Sequence, residues 1–127
     1  MTHDYLRGLY ASHPSYQKIN SSLQDESTTH ISIEGTTGSA RAMLMAAVYD
    51  SMQTTHLVIL PEKEEAAYFY NDLVSLLGDE LVFFFPSTYK RSIQYGQTDS
   101  SNIVHRTEVM NHLASGKRKC IVVTYTE

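Results

Sequence analysis

The sequence has a single cysteine, no excess of basic residues and no apolar run near the length of a membrane span. With Cys120 alone, no disulfide framework can form within the chain, and a reducing compartment is expected. Cys120 sits in the apolar run CIVVT, where it reads as a small buried hydrophobe. Lys and Arg total 10 against 14 Asp and Glu, a formal charge of −4. A surface dedicated to coating DNA carries the opposite balance, although a module inside a larger DNA-working protein need not. No stretch approaches the ~18 apolar residues of a membrane span, and MTHDYLRG lacks the layout of a signal peptide. A cytoplasmic location with no membrane partner is therefore expected. The six histidines show no paired metal-ligand spacing. His105 and His112 share one helix face, but neither has a Cys or His four residues on.

What the sequence does contain fits one globular domain. Its 127 residues suffice for a single core, and 42% hydrophobic with 19% charged residues separates it from disordered chains. Residues 1–28 read as a helical lead-in and linker. YLRGLY and YQKINSSL carry apolar residues at helical spacing, SHPS sets a proline near a helix start, and QDESTT is polar.

From residue 29 to 127 the segments alternate in type. HISIE (30–34) reads as a strand and SARAMLMAAVYDSM (39–52) as a helix. HLVIL (56–60) reads as a buried strand. PEKEEAAYFYNDLVSLL (61–77) reads as a helix with proline at its front, Glu62, Glu64 and Glu65 in its first turn, and Gly78 as its stop. LVFFF (81–85) is a third strand, followed after Pro86 by an irregular polar stretch to about Asp99. SNIVHRTEVMNHLASG (101–116) is a helix ended by Gly116, and KCIVVT (119–124) is a fourth strand. The pattern predicts an α/β fold, a mostly parallel sheet with helices on both faces. The sequence stops at VVTYTE with no helix to cover the edge that its last strand would form. Residues 29–127 are thus expected to be an incomplete α/β domain, truncated at its C-terminal end.

The stretch IEGTTGSARAML carries the chemical question. Set on the phosphate-loop pattern G-x-x-x-x-G-K-[ST], it gives Gly35, Thr36, Thr37, Gly38, Ser39, Ala40, Arg41 and Ala42. Only the first glycine fits. A working loop turns backbone N–H groups around phosphates, reaches them with a lysine, and holds magnesium with a hydroxyl. Here Ala40 replaces the second glycine, Arg41 the lysine and Ala42 the hydroxyl. Arg41 keeps a charge but is a planar fork rather than a point charge, and Ala42 has no oxygen for a metal. Phosphoryl transfer is not expected; the loop reads as degenerate, and at most a weak anion site at a helix N-terminus.

The following residues add a resemblance. LVILPEKEEAAYFYNDLVSLLGD resembles the second conserved block of helicase-type motors. FFFP followed by Tyr89, and Arg106 in VHRTEVMNHL before IVVT, complete an order that resembles the N-terminal, UvrB-like domain of the bacterial transcription-repair coupling factors (Mfd). The likeness covers residues 29–127, with residues 1–28 matching the family's helical lead-in. It implies a P-loop NTPase-like fold with a degenerate loop. In UvrB the loop is intact and a long aromatic hairpin follows the third strand; the stretch from Pro86 to Asp99 is too short for one. The resemblance further implies a scaffold, not an enzyme, with ATP and magnesium used only in motor domains outside this chain and no cofactor here. The partners it implies are other domains of the same protein and, for the full-length family, UvrA, RNA polymerase and double-stranded DNA. Tyr89 and Arg106 are expected to make interdomain or structural contacts; the residues alone suggest that Arg106 meets an acid beneath the loop or a neighbouring domain.

Two other readings stay open: a nucleotide-binding enzyme domain with an atypical phosphate loop, and an unrelated flavodoxin-like or response-regulator-like binding domain, which Glu34 and GTTGS would suit. YKR (89–91) and KRK (117–119) read as solvated turns before DNA contacts. Tyr68, Phe69 and Tyr70 point in different directions on a helix, so core packing with an exposed tyrosine tip is expected rather than a stacking platform.

Overall fold

Three short apolar segments, His56–Leu60 (β1), Val82–Phe84 (β2) and Ile121–Tyr125 (β3), form a parallel sheet in a computed structural model that describes residues 3–86, 100–116 and 119–126. The strand order is β1-β3-β2, with His56 opposite Ile121 and Val82 opposite the same residue from the other side. The helices are α1 (His3–Ser12), α2 (Pro14–Gln24), α3 (Ala40–Ser51), α4 (Lys63–Leu77) and α5 (Ser100–Ser115). The mixed α/β class and the parallel sheet expected from the alternation are both present.

Local chemistry fixes the helix limits. Pro14 opens α2 where its missing N–H costs nothing, and the His13 Nδ1 accepts from the Ser15 N–H at 3.1 Å. Beyond α2, the Asp25 carboxylate accepts from the Ser27 hydroxyl at 2.7 Å and its N–H at 3.0 Å. Those bonds hold the Asp25 carboxyl below its ordinary range. Gly78 closes α4 at φ +90°, a backbone angle that glycine adopts without a Cβ penalty.

The alternation of β3 divides the core. Ile121 and Val123 point to the layer of α3 and α4, joining Ala42, Ala46, Tyr49, Ala66 and Leu73. Cys120 and Val122 point the other way, against Val109 of α5 and Phe83. The lead-in helices belong to the same body. The buried Tyr16 donates to the Ala47 carbonyl at 2.9 Å, and Arg7 pairs with Asp50 while donating to the Leu76 carbonyl at 3.1 Å.

Four expectations are corrected. Residues 30–34 form no strand, and Ile31 and Ile33 remain exposed. A lone five-residue segment has no ladder to offset its backbone entropy, and β1 pairs only with β3 among the described residues. The last strand is central rather than at an edge. Pro61 lies ahead of α4, whose N-cap is the extended Glu62. The second sheet face is covered only in part: α5 packs on β2 and β3, while Leu57 and Ile59 of β1 are exposed there. The irregular stretch assigned to residues 87–99 lies outside the described residues.

Candidate functional site

The loop that carries the phosphate-type pattern makes a glycine turn and then enters a helix. Gly35 at φ +86° and Gly38 at φ +56° occupy backbone angles that suit glycine. The Ala40 N–H donates to the Thr37 carbonyl at 3.1 Å, and α3 begins at Ala40. The helix thus starts at the pattern position where a phosphate loop enters its own. Thr36 is half-buried, while Gly35, Thr37 and Gly38 are exposed.

The side chains then depart from phosphate chemistry. Ser39 occupies the N-cap but makes no capping bond; its hydroxyl donates to Asp72 of α4 at 2.9 Å. A carboxylate therefore stands beside the N-terminus of α3, where the helix dipole attracts negative charge. Ala42, at the position of the metal-binding hydroxyl, is packed in the core with Ala46 and Tyr49 at 1% exposure. Arg41 is exposed and makes no hydrogen bond or ion pair with a described residue. The backbone can offer donors and Arg41 a charge, but a phosphate there would meet the Asp72 carboxylate.

Arg41 and Thr36 also line a cavity of about 540 Å³ between segment 28–36, α2, α3 and β1. Its walls are mainly apolar, with Ile31, Ile33, Leu44, Met45 and Val58. No local pattern in residues 30–34 marks it, because those residues line it without joining the sheet.

Arg106 reaches the other end of the site region. Its guanidinium carbon lies 4.2 Å over the Phe85 ring, and its Nη1 donates to the Pro86 carbonyl at 2.9 Å. The residues alone suggest an acid beneath the loop or a neighbouring domain; the partners in the structure are an aromatic ring and a carbonyl. The tail of β2 is further held by the Phe85 N–H on the Val123 carbonyl at 2.8 Å and by Thr124 on the Phe85 carbonyl at 2.7 Å. Tyr89 lies outside the described residues, as do residues 89–91 and 117–118 of the basic clusters. The structure does not bring Arg106 to the loop at 35–42.

Tyr68 is exposed, Phe69 lines the cavity, and Tyr70 packs 5.6 Å from the Phe84 ring, so the three aromatics diverge as expected. Burial, then Asp79 and Glu108, push the Tyr70 phenol above its ordinary range. His112 packs 4.6 Å from the Phe83 ring. Among the described residues no three His, Cys, Asp or Glu side chains are grouped to hold a metal, and no helix is long and apolar enough to cross a membrane. Comparisons of the chain with protein-family models, curated proteins and solved structures gave no match.

Proposed function

We propose that this chain is part of a UvrB-like N-terminal module of a transcription-repair coupling factor, with a phosphate loop kept for its fold and not for hydrolysis. On this reading it is a non-enzymatic scaffold of P-loop NTPase-like descent, working in the cytoplasm. It presents surfaces to other domains of its own protein. The full protein would act with UvrA, RNA polymerase and double-stranded DNA, and would use ATP and magnesium in separate motor domains. The observation that carries the loop reading is that the metal-ligand position, Ala42, is a buried methyl, while the Ser39 hydroxyl at the α3 N-cap is taken up by the Asp72 carboxylate. The order of motifs around FFFP and Arg106 supports the family.

Calorimetry with ATP and ADP, with and without magnesium, tests the loop. No heat at millimolar nucleotide is expected. Magnesium-dependent binding tighter than ~100 μM, about −5.5 kcal/mol, would overturn the reading and favour a nucleotide-binding enzyme domain. The coupling role is tested in cells by deleting the encoding gene and following repair of ultraviolet damage on each strand. Loss of the preference for the transcribed strand is expected; an unchanged preference would refute the role.

A further inference from the structure

The cavity against α3 is built from apolar stripes with a charge at one end. Arg41, Leu44, Met45 and Val48 stand at i, i+3, i+4 and i+7 on one face of α3. Val58 and Leu60 line the space from one face of β1, and Ile31 and Ile33 line it from segment 28–36. About 540 Å³ lies between them, in the range of small-ligand pockets, which join apolar walls to a few placed polar groups. Here the polar groups favour one sign. The chain carries 14 Asp and Glu, yet among the described residues no carboxylate lines the cavity, and Arg41 brings a full positive charge. Ser39 lies two residues back, about 200° around the helix, so the Asp72 carboxylate that it holds is not in the cavity wall. Neither the Arg41 guanidinium nor the half-buried Thr36 hydroxyl, which lines the same space, has a hydrogen-bond partner among the described residues.

We propose that this cavity binds a single-chain amphipathic acid, an unbranched alkyl tail ended by one carboxylate. The tail lies along the α3 stripe, which rises about 10 Å from Arg41 to Val48, the span of an alkyl chain of about ten carbons. The carboxylate sits at the mouth, where the planar guanidinium of Arg41 offers paired donors and Thr36 a hydroxyl. Arg41 is exposed, so the charge keeps its water while the tail leaves it, and burial of the tail supplies most of the binding. A nucleotide brings several phosphate charges to a wall with a single guanidinium. A peptide strand threaded along the stripes would carry its N–H and C=O groups past apolar side chains, where each unpaired group is costly. An alkyl tail has no such groups to satisfy.

Calorimetric titration of the full chain with decanoate, kept below its micelle concentration, tests this. One decanoate per chain is expected. Octanoate, two methylenes shorter, should bind about tenfold more weakly. Arg41→Gln should weaken decanoate about three- to fivefold, and Arg41→Glu at least about tenfold, with the circular dichroism spectrum unchanged. Lys18→Gln, at an exposed cation outside the cavity, should bind as the parent does. Carbon-13 methionine methyl signals locate the ligand without a change of sequence: Met45 should shift on titration, and Met110, exposed on α5, should not. No uptake at millimolar decanoate would overturn the proposal. So would binding indifferent to Arg41→Glu, octanoate bound as tightly as decanoate, or a Met110 shift equal to that of Met45, the mark of detergent-like adsorption. The longer protein of the proposed function should take up decanoate too; no uptake there would show the cavity filled by polypeptide and refute the site.

Discussion

The Arg106 guanidinium carbon lies 4.2 Å from the centroid of the Phe85 ring while its Nη1 donates to the Pro86 carbonyl at 2.9 Å. That double contact fastens α5 to the tail of β2. Arg106→Ala should lower unfolding free energy by about 1–2 kcal/mol, the sum of a cation–π contact and a hydrogen bond to a charged donor. Arg106→Lys should recover only part, because an ammonium lacks the planar fork. Urea unfolding of the three proteins measures both differences.

Tyr16 makes the matching attachment for the lead-in helices. Tyr16→Phe keeps the packing against Ala47 and Val48 but loses the donor to the Ala47 carbonyl. A loss of about 1 kcal/mol is expected, seen as a lower urea midpoint with an unchanged slope.

The Arg7–Asp50 pair joins residues far apart in sequence, with Arg7 mostly covered and Asp50 half-exposed. A double-mutant cycle with Arg7→Ala and Asp50→Ala should give a coupling of at most about 1 kcal/mol. The coupling should shrink as sodium chloride is raised from 0.1 to about 1 M. The Arg7 bond to the Leu76 carbonyl should survive in the Asp50 variant, so Arg7→Ala should be the costlier single change.

Burial raises the Cys120 thiol above its ordinary range, with Lys119 pulling weakly the other way. The folded state therefore binds the thiol proton more tightly than the unfolded chain does. Stability from this group is fully present below the unfolded thiol value of ~8.5 and is lost as pH rises toward the higher folded value. Cys120→Ala should flatten that alkaline decline. In the native protein at neutral pH, a thiol at 1% exposure should react with an aromatic disulfide reagent only as fast as the chain opens, and at once in urea.

Ser39 and Asp72 give a prediction for the loop. Asp72→Asn removes the carboxylate beside the α3 N-terminus while leaving an acceptor for Ser39. A loss of helix-dipole stabilisation of about 0.3–1 kcal/mol is expected, checked by thermal unfolding at low salt.

Much of the fold was legible because local rules agreed with tertiary packing. HLVIL marked β1 to the residue, and Pro14, Gly78 and Gly116 marked helix limits through backbone chemistry alone. HISIE was misread because its alternation describes a strand that needs a partner, and pairing is not a local property. The position of β3 between β1 and β2 was equally hidden, since order within a sheet depends on crossovers. At the loop, the missing hydroxyl could be read from Ala42, but the Ser39–Asp72 bond could not: 33 residues separate the two. The partners of Arg106 were hidden in the same way, since they come from the end of β2, 20 residues away.

The central place of β3 also governs the order of events as the chain is made. β1 and β2 do not touch within the sheet; each has β3 as its neighbour. On the ribosome, both must wait as unzipped segments until residues 121–125 leave the exit tunnel, whatever helices have formed meanwhile. Assembly of the sheet is then a late, nearly single event with long loops to close. Until that moment HLVIL and VFF are bare aggregation-prone segments, so a chaperone that holds nascent apolar stretches would have its longest engagement with this protein before β3 appears.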